Sequence, residues 1–347
     1  MSRSKTRIKP RSRQPGKSLR KKQAGVIVNS DDLYRVILDK SCLPKKNGAQ
    51  SRLELAGIFK KTDKSKIKRY SSGEFDPDMM SAAKSISAHI VITTMIWKRH
   101  DIFRAWALGV KRLKKSFKNV KIDVMVAGSE GRLSKDAVSR HGFDYVEAPN
   151  SPLGRKSNIR LRACEQYGSD YVMLCGSDDI FSDKYFAFIL NAIGMGHDEI
   201  APLDIYYCDI LSKYSLYSNG NQGIYSGIKH SRGEPLAPGR VLSRKVLDEV
   251  NWRLWLEEED KYLDKWPRDR IKEIVENPLH FSCRENGLVM CDVKKDVNMT
   301  KMKIYPHFEL VDENYLEQEI PELTALKRRA GSRARQGVSK PMNRRGR

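Results

Sequence analysis

Between residues 88 and 175 the chain alternates apolar, β-branched runs with segments of helical periodicity, and this alternation restricts the fold more than anything else in the sequence. "AHIVITTMI" (Ala88–Ile96) is a β-branched, mostly apolar run, which suits a buried parallel strand. "DIFRAWALGVKRLKKSF" follows with helical spacing, then "VKIDVMVAGSEG" as a second strand ending in a glycine turn. "SKDAVSRHG" predicts a helix stopped at Gly142, "FDYVEAPN" a third strand, "LGRKSNIRLRACEQYG" a helix closed by Gly168, and "DYVMLCG" a fourth strand. Such strand–helix units join by right-handed crossovers, so the expected fold is α/β: a Rossmann-like mixed sheet with helices on both faces. Ligands of these sheets sit at the carboxyl ends of the strands.

Beyond about residue 200 the pattern loosens. "LDIYYCDIL" predicts a strand, and "SGIKHSRGEPLAPGRVLSRKVLDEV" a loop feeding a helix. "WRLWLEEEDKYLDKWPRDRIKEIVEN" predicts a mostly helical, acidic segment, and "GLVMCDVKKDVNMT" a last strand with an exit loop. The sequence has no internal repeat.

Charge divides the 347 residues further. Residues 1–22 carry ten Lys/Arg and residues 326–347 carry nine, both without an acid, which leaves 46 basic against 43 acidic residues between them. Both ends have almost no apolar residues and predict disordered basic arms. The expected organisation is a basic arm over 1–22, a partly helical extension over 23–87, a domain over 88–310, and an extension over 311–347 ending in a basic tail. Within 23–87, "SDDLYRVILDK" predicts a short helix and "KKTDKSKIKRYSSGEFDPD" a polar linker. Arms of this kind meet polyanions, nucleic acid being the commonest partner, or else act as solubilising tails. The six cysteines form no CxxC pair, which suits reduced core thiols. No run of about 18 apolar residues and no apolar leader is present, so the expectation is a cytoplasmic protein without a membrane partner (host cytoplasm, if viral).

In "YVMLCGSDDIFSDKYF" two aspartates, Asp178 and Asp179, follow the fourth strand through Gly176 and Ser177. Carboxylates brought together by a turn repel, and a hard divalent cation relieves that repulsion, with a substrate diphosphate able to complete its shell. The alternative is helix capping by Ser177 or Asp178. The residues alone leave both open.

The order of these elements resembles the family-2-like glycosyltransferases of the GT-A fold, over about residues 88–300. The residues that carry the resemblance are "IVITTMIWKR" with its helix and the span "NSPLGRKSNIRLRACEQYGSDYVMLCGSDDIFSDKYF". The "TT…WKR" and "GSDD" variants also resemble glycosyltransferase-like proteins of bacteriophages. The resemblance implies a nucleotide-diphosphate sugar as donor and a divalent cation, Mn2+ or Mg2+, held by Asp178 and Asp179, with His307 completing the shell. It implies donor contacts from Thr93, Thr94, Arg99, Gly154, Lys156, Asn158 and Ser177. Gly239, Arg240 and Ser243 of "APGRVLSRKVL" fall on the acceptor side. The general base falls on Asp264 in "LWLEEEDKYLDKW", with Glu259 in reserve. Departures accompany it. The first aspartate of the metal motif falls on Gly176, and Ala127, Gly128 and Ser129 stand where an acidic pair reads the nucleobase. Ser157 replaces an arginine, with Arg155 and Lys156 beside it.

Two kinds of function fit. One is transfer of a sugar to an acceptor hydroxyl, with a modified base in DNA as the sharpest acceptor and polysaccharide or protein as rivals. The other is a catalytically decayed fold that serves as a nucleic-acid-binding or virion structural protein.

Overall fold

The computed structural model describes residues 72–210, 215–220, 234–260, 263, 265–295 and 309–337. Helix α1 (Pro77–Ser85) opens them, with Asp76 accepting from the Asp78 amide and Pro77 at the first helical position. The predicted alternation follows: β1 (Ala88–Ile96), α2 (His100–Ser116), β2 (Val120–Gly128), α3 (Arg132–Ser139), β3 (Asp144–Glu147), α4 (Leu153–Glu165) and β4 (Tyr171–Leu174). Next come β5 (Asp179–Phe181), α5 (Asp183–Gly194), β6 (Glu199–Pro202), β7 (Ile205–Asp209), β8 (Ser215–Ser218) and β9 (Arg240–Ser243). The described part ends with α6 (Arg244–Glu249), α7 (Lys265–Ile271), β10 (Pro278–Phe281), β11 (Met290–Lys294), β12 (Glu309–Val311), α8 (Glu313–Glu319) and α9 (Glu322–Gly337).

The main sheet has the order β10-β6-β9-β4-β1-β2-β3. Its strands run parallel except β9, which pairs antiparallel with both β4 and β6. Successive side chains of the central strands enter opposite faces of the sheet. Ile90 and Ile92 of β1 and Met173 of β4 enter the core that also holds Trp106 of α2, Val138 of α3 and Phe186 of α5. Val91 of β1 with Val172 and Leu174 of β4 enter a second core with Leu161 of α4 and Leu247 of α6. Helices therefore cover both faces, as expected for an α/β sheet whose strands read as continuous apolar runs. Helix α2 buries Ile102, Phe103, Trp106, Val110 and Leu113, one stripe at helical spacing. Each such side chain contributes about 1.5–3 kcal/mol.

A second sheet, β12-β8-β7-β11-β5, stands at the carboxyl end of the first. Its short strand β5 continues the turn after β4 and pairs antiparallel with β11, with Asp179 opposite Asp292.

Several expectations need correction. The folded unit extends past 88–310 at both ends. Ala83 of α1 is fully buried, and so are Leu316, Ile320 and Leu323 at the C-terminal end. The basic tail expected from residue 326 is helical through Gly337, and Leu326 packs into the core. The acidic segment expected to be mostly helical is irregular from Asn251 to Asp260, and among its described residues the helix that forms is α7. Ser182, not Ser177 or Asp178, caps α5 by accepting from the Tyr185 amide at 3.1 Å. The helix expected within "SDDLYRVILDK", the linker up to residue 71, the arm 1–22 and residues 338–347 lie outside the described residues. The five described cysteines are buried and free.

Candidate active site

Strand order reverses between β1 and β4, because the chain adds β2 and β3 on one side and returns to place β4 on the other. In open α/β sheets the ligand crevice lies at such a point, outside the carboxyl ends of the two strands. Thr93 lies opposite Leu174 there, and Cys175 donates its amide to the Thr93 carbonyl at 3.1 Å. Beneath the floor, buried Arg160 of α4 donates to the carbonyls of Cys175 (2.9 Å) and Thr93 (3.3 Å) and so ties the two strand ends together.

The chain turns after Cys175, and the Asp179 amide returns to the Gly176 carbonyl at 3.2 Å. The Gly176 amide donates to the Asp179 carboxylate. A Cβ at Gly176 would meet Asp178 Oδ1 at 2.5 Å and Asp179 Oδ2 at 3.0 Å. A side chain at 176 would therefore displace the carboxylates from where they fold back over this backbone, which gives the departure from the expected acidic motif a steric rationale. The third carboxylate comes from Asp292 of β11, opposite Asp179 in the antiparallel register. The Val293 amide fixes the arrangement by donating to the Asp178 carbonyl at 2.8 Å. Ligand atoms of Asp178, Asp179 and Asp292 lie within 4.8 Å of one another. Sequence reasoning missed Asp292. The alternation of "MCDVK" shows an acid in a buried strand but not which turn it faces.

Two cations attend the cluster. Arg99, just past β1, pairs with Asp178 and donates to Ser177 Oγ at 3.3 Å. Lys294 pairs with Asp292. Burial, then the charges of Asp178 and Asp292, push the Asp179 carboxyl well above its usual range. Burial pushes Asp292 to about 6, although Lys294 opposes this. Asp292 Oδ1 is buried without a hydrogen-bond partner. Three crowded carboxylates with an orphaned oxygen fit a divalent cation, which prefers hard oxygen donors.

The other expected residues separate. Thr93 donates to the Met125 carbonyl at 3.0 Å, while Thr94 Oγ1 is buried without a partner. Lys156 is not on the surface. Its ammonium, 1% exposed as a residue, donates to the Ile96 carbonyl (3.2 Å), Ser129 Oγ (2.9 Å) and Asn150 Oδ1 (3.3 Å). It therefore ties together the loops that follow β1, β2 and β3. Burial, then the charge of Arg160, lowers it to about 8. Asn158 is held by backbone: it donates to the Trp255 carbonyl at 2.8 Å and accepts from the Leu254 and Trp255 amides, both at 3.1 Å. The Gly154 amide goes to the Glu259 carbonyl at 2.8 Å, and the Leu153 amide to Asp260 Oδ1 at 2.8 Å. A Cβ at Gly154 would meet the Leu256 carbonyl oxygen at 1.9 Å. The 256–260 turn thus seals the N-terminus of α4, and Asn158 and Gly154 hold that turn in place.

Gly239 stands at the site end of β9, where its amide donates to the Leu174 carbonyl at 2.9 Å. Its φ of +76° and the nearby Tyr185 hydroxyl, 2.4 Å from a built Cβ, both call for glycine. Arg240 is buried and pairs with Glu199 at 3.4 Å. Ser243 is a correction to the acceptor-side assignment. Because β9 runs antiparallel to β4, Ser243 pairs with Tyr171 at the opposite edge of the sheet, where it caps α6 and bonds Asp198. Asp264 and His307 lie outside the described residues.

Fold and site together define an α/β protein of the doubly wound kind with a cation-compatible acidic crevice at its switch point. No protein-family model matches the chain, and no curated protein does. Among solved structures it is similar to S. aureus TarS 1-349 in complex with UDP-GlcNAc, at 13% identity and TM-score 0.41, covering 63% of this chain and 61% of that one. The complex of the same protein with UDP gives 10% identity and TM-score 0.42, covering 69% and 65%. A cytidylyltransferase from Leptospira borgpetersenii gives 12% and 0.39, covering 69% and 96%. The chain spans less than two thirds of these TarS chains.

Proposed function

We propose that the protein is a glycosyltransferase that takes a nucleotide-diphosphate sugar as donor and binds it at the crevice between β1 and β4. The observation that carries this reading is the convergence of Asp178, Asp179 and Asp292 at the switch point of the sheet. Three ionised carboxylates outnumber Arg99 and Lys294, so a divalent cation that displaces the Asp179 proton, and then a diphosphate, suit the site in charge. When bound, the cation stabilises the departing diphosphate. The chain's own residues do the rest of the positioning: Arg99 is placed to follow a phosphate oxygen, and the Arg160 bridge fixes the two strand ends against each other. The acceptor hydroxyl needs a base, and Asp264 is assigned that role, with Glu259 beside the α4 N-terminus as the second candidate and His307 as a further cation ligand. The basic terminal runs favour a polyanionic acceptor, with a hydroxylated base in DNA the sharpest choice. A purely structural role gives the converging carboxylates no task.

The test is Mn2+ titration by electron paramagnetic resonance with and without nucleoside diphosphates, followed by donor hydrolysis across a sugar-nucleotide panel. Asp292→Asn is expected to weaken Mn2+ binding by about tenfold or more and to lower hydrolysis by a similar or larger factor, with the melting temperature retained. An intact protein that holds no Mn2+ even with nucleotide present, or an Asp292→Asn variant equal to wild type in both assays, overturns the reading.

A further inference from the structure

Helix α2 presents a second chemistry on its outer side, away from the crevice. Arg104, Lys111 and Lys115 are exposed at spacings of seven and four residues, and Lys118 follows just beyond the helix end. None of these four has an ion-pair partner among the described residues. The acids nearby are engaged elsewhere: Asp183 and Glu322 hold Arg112, Asp101 holds Lys295, and Glu130 holds His100. Where α2 meets α3, an open groove of about 380 Å³ is lined by His100, Phe103, Arg104, Ala137, Arg140 and His141. Burial, and then Lys111, Arg104 and Arg140, depress the His141 pKa, which shows how these three cations converge on one ring. His141 Nδ1 is buried there without a partner.

Helix α9 lies on the same side of the sheet. It packs on α2 through the Arg112–Glu322 pair and the contact of Glu322 with Gly109. Arg328 and Arg329 on it are exposed, and the chain beyond adds six further Lys/Arg without an acid, from Arg333 to Arg347. The middle of the chain is close to neutral, so this clustering is not a diffuse excess of charge.

We infer that the face built by α2, the α2–α3 groove and α9 binds the phosphodiester backbone of a nucleic acid. Arg104 and Lys115 are about 16 Å apart along the helix axis, a length over which one strand of a B-form duplex carries about five phosphates. Guanidinium groups in the groove match phosphate oxygens in geometry as well as charge. The exposed face holds lysine and arginine but no exposed aromatic ring on which a base could stack, so recognition is of backbone rather than sequence. This inference stands apart from the donor-site reading, because none of its residues belongs to the crevice.

The experiment is fluorescence anisotropy of the full chain with a 20-base-pair duplex at several salt concentrations. Each lost phosphate contact lowers the salt slope by about 0.9 on B-form DNA. A Lys111→Gln, Lys115→Gln, Lys118→Gln variant is expected to reduce the slope by about 2–3 and the low-salt affinity by more than about tenfold. Arg104→Gln with Arg140→Gln should act likewise, and melting temperature and Mn2+ binding should stay at wild-type values. Asp178→Asn should bind DNA normally, which separates failure of this inference from failure of the donor-site reading. Unchanged affinity and slope in both cation variants would place DNA binding elsewhere and overturn the inference. So would a wild-type chain that ignores DNA yet binds a phosphate-bearing glycan through these residues.

Discussion

At the scale of single residues, two positions show how space and burial decide chemistry. At Gly176 two carboxylates fold over the backbone, and a side chain there would have to displace them. Gly176→Ala is expected to push Asp178 and Asp179 apart and to weaken Mn2+ binding by about tenfold or more, read by titration, even though the carboxylates themselves remain. Gly176→Asp should fail in the same way rather than restore an acidic motif. Lys156 makes a separate, pH-dependent contribution. Its folded pKa of about 8 lies below the ordinary value of 10.5, so the unfolded chain binds more protons between those limits. Its contribution to stability therefore rises with pH from about 8 to about 10.5, by at most about 3 kcal/mol. Buried tyrosines and thiols with raised pKa values act in the opposite sense over the same window, so the rise is read as the difference between denaturant melts of wild type and of Lys156→Met. A Lys156→Met variant with the wild-type pH slope would show that the ammonium is solvated in the folded state.

Elements were legible in the sequence where burial forced one pattern. Strand β1 is covered on both faces, so its nine residues read as one apolar run. Helices α3 and α4 end near glycines with positive φ, Gly142 and Gly168, and both stops stand in the sequence. The second sheet is another matter. Its strands are three to five residues long, too short for a period to show. The segment from Asn251 to Asp260 carries helix-forming glutamates, yet it is irregular. Its backbone is engaged by Asn158 and Gly154, and tertiary hydrogen bonds override propensity. The start of α5 shows the same sensitivity to local detail. Two serines and two aspartates compete to cap it, and Ser182 succeeds because it alone sits where its oxygen meets the Tyr185 amide. Ser182→Ala should cost about 1 kcal/mol in a denaturant melt and leave Mn2+ binding intact. A loss of cation binding in that variant would mean that the cap also sets the β5 turn.

For the whole molecule, charge concealed structure that hydrophobic spacing reveals. Leu323, Leu326 and Ala330 recur at intervals of three and four residues, enough to seat α9, but the run of lysine and arginine among them suggests a loose tail. Asp76 and Pro77 likewise form a helix start that a polar linker obscures. The carboxylate pair was legible because neighbours in sequence share a turn. Asp292 was not, since it reaches that turn only through the register of β11 against β5. That pairing has a consequence for the order of events in biosynthesis. A ribosome completes the strands around Asp178 and Asp179 well before it makes β11, so the emerging half holds two mutually repelling acids and no third. On the proposed reading, a cation that needs all three carboxylates would be captured only after the late strand docks, and loading with metal would act as a checkpoint on finished molecules.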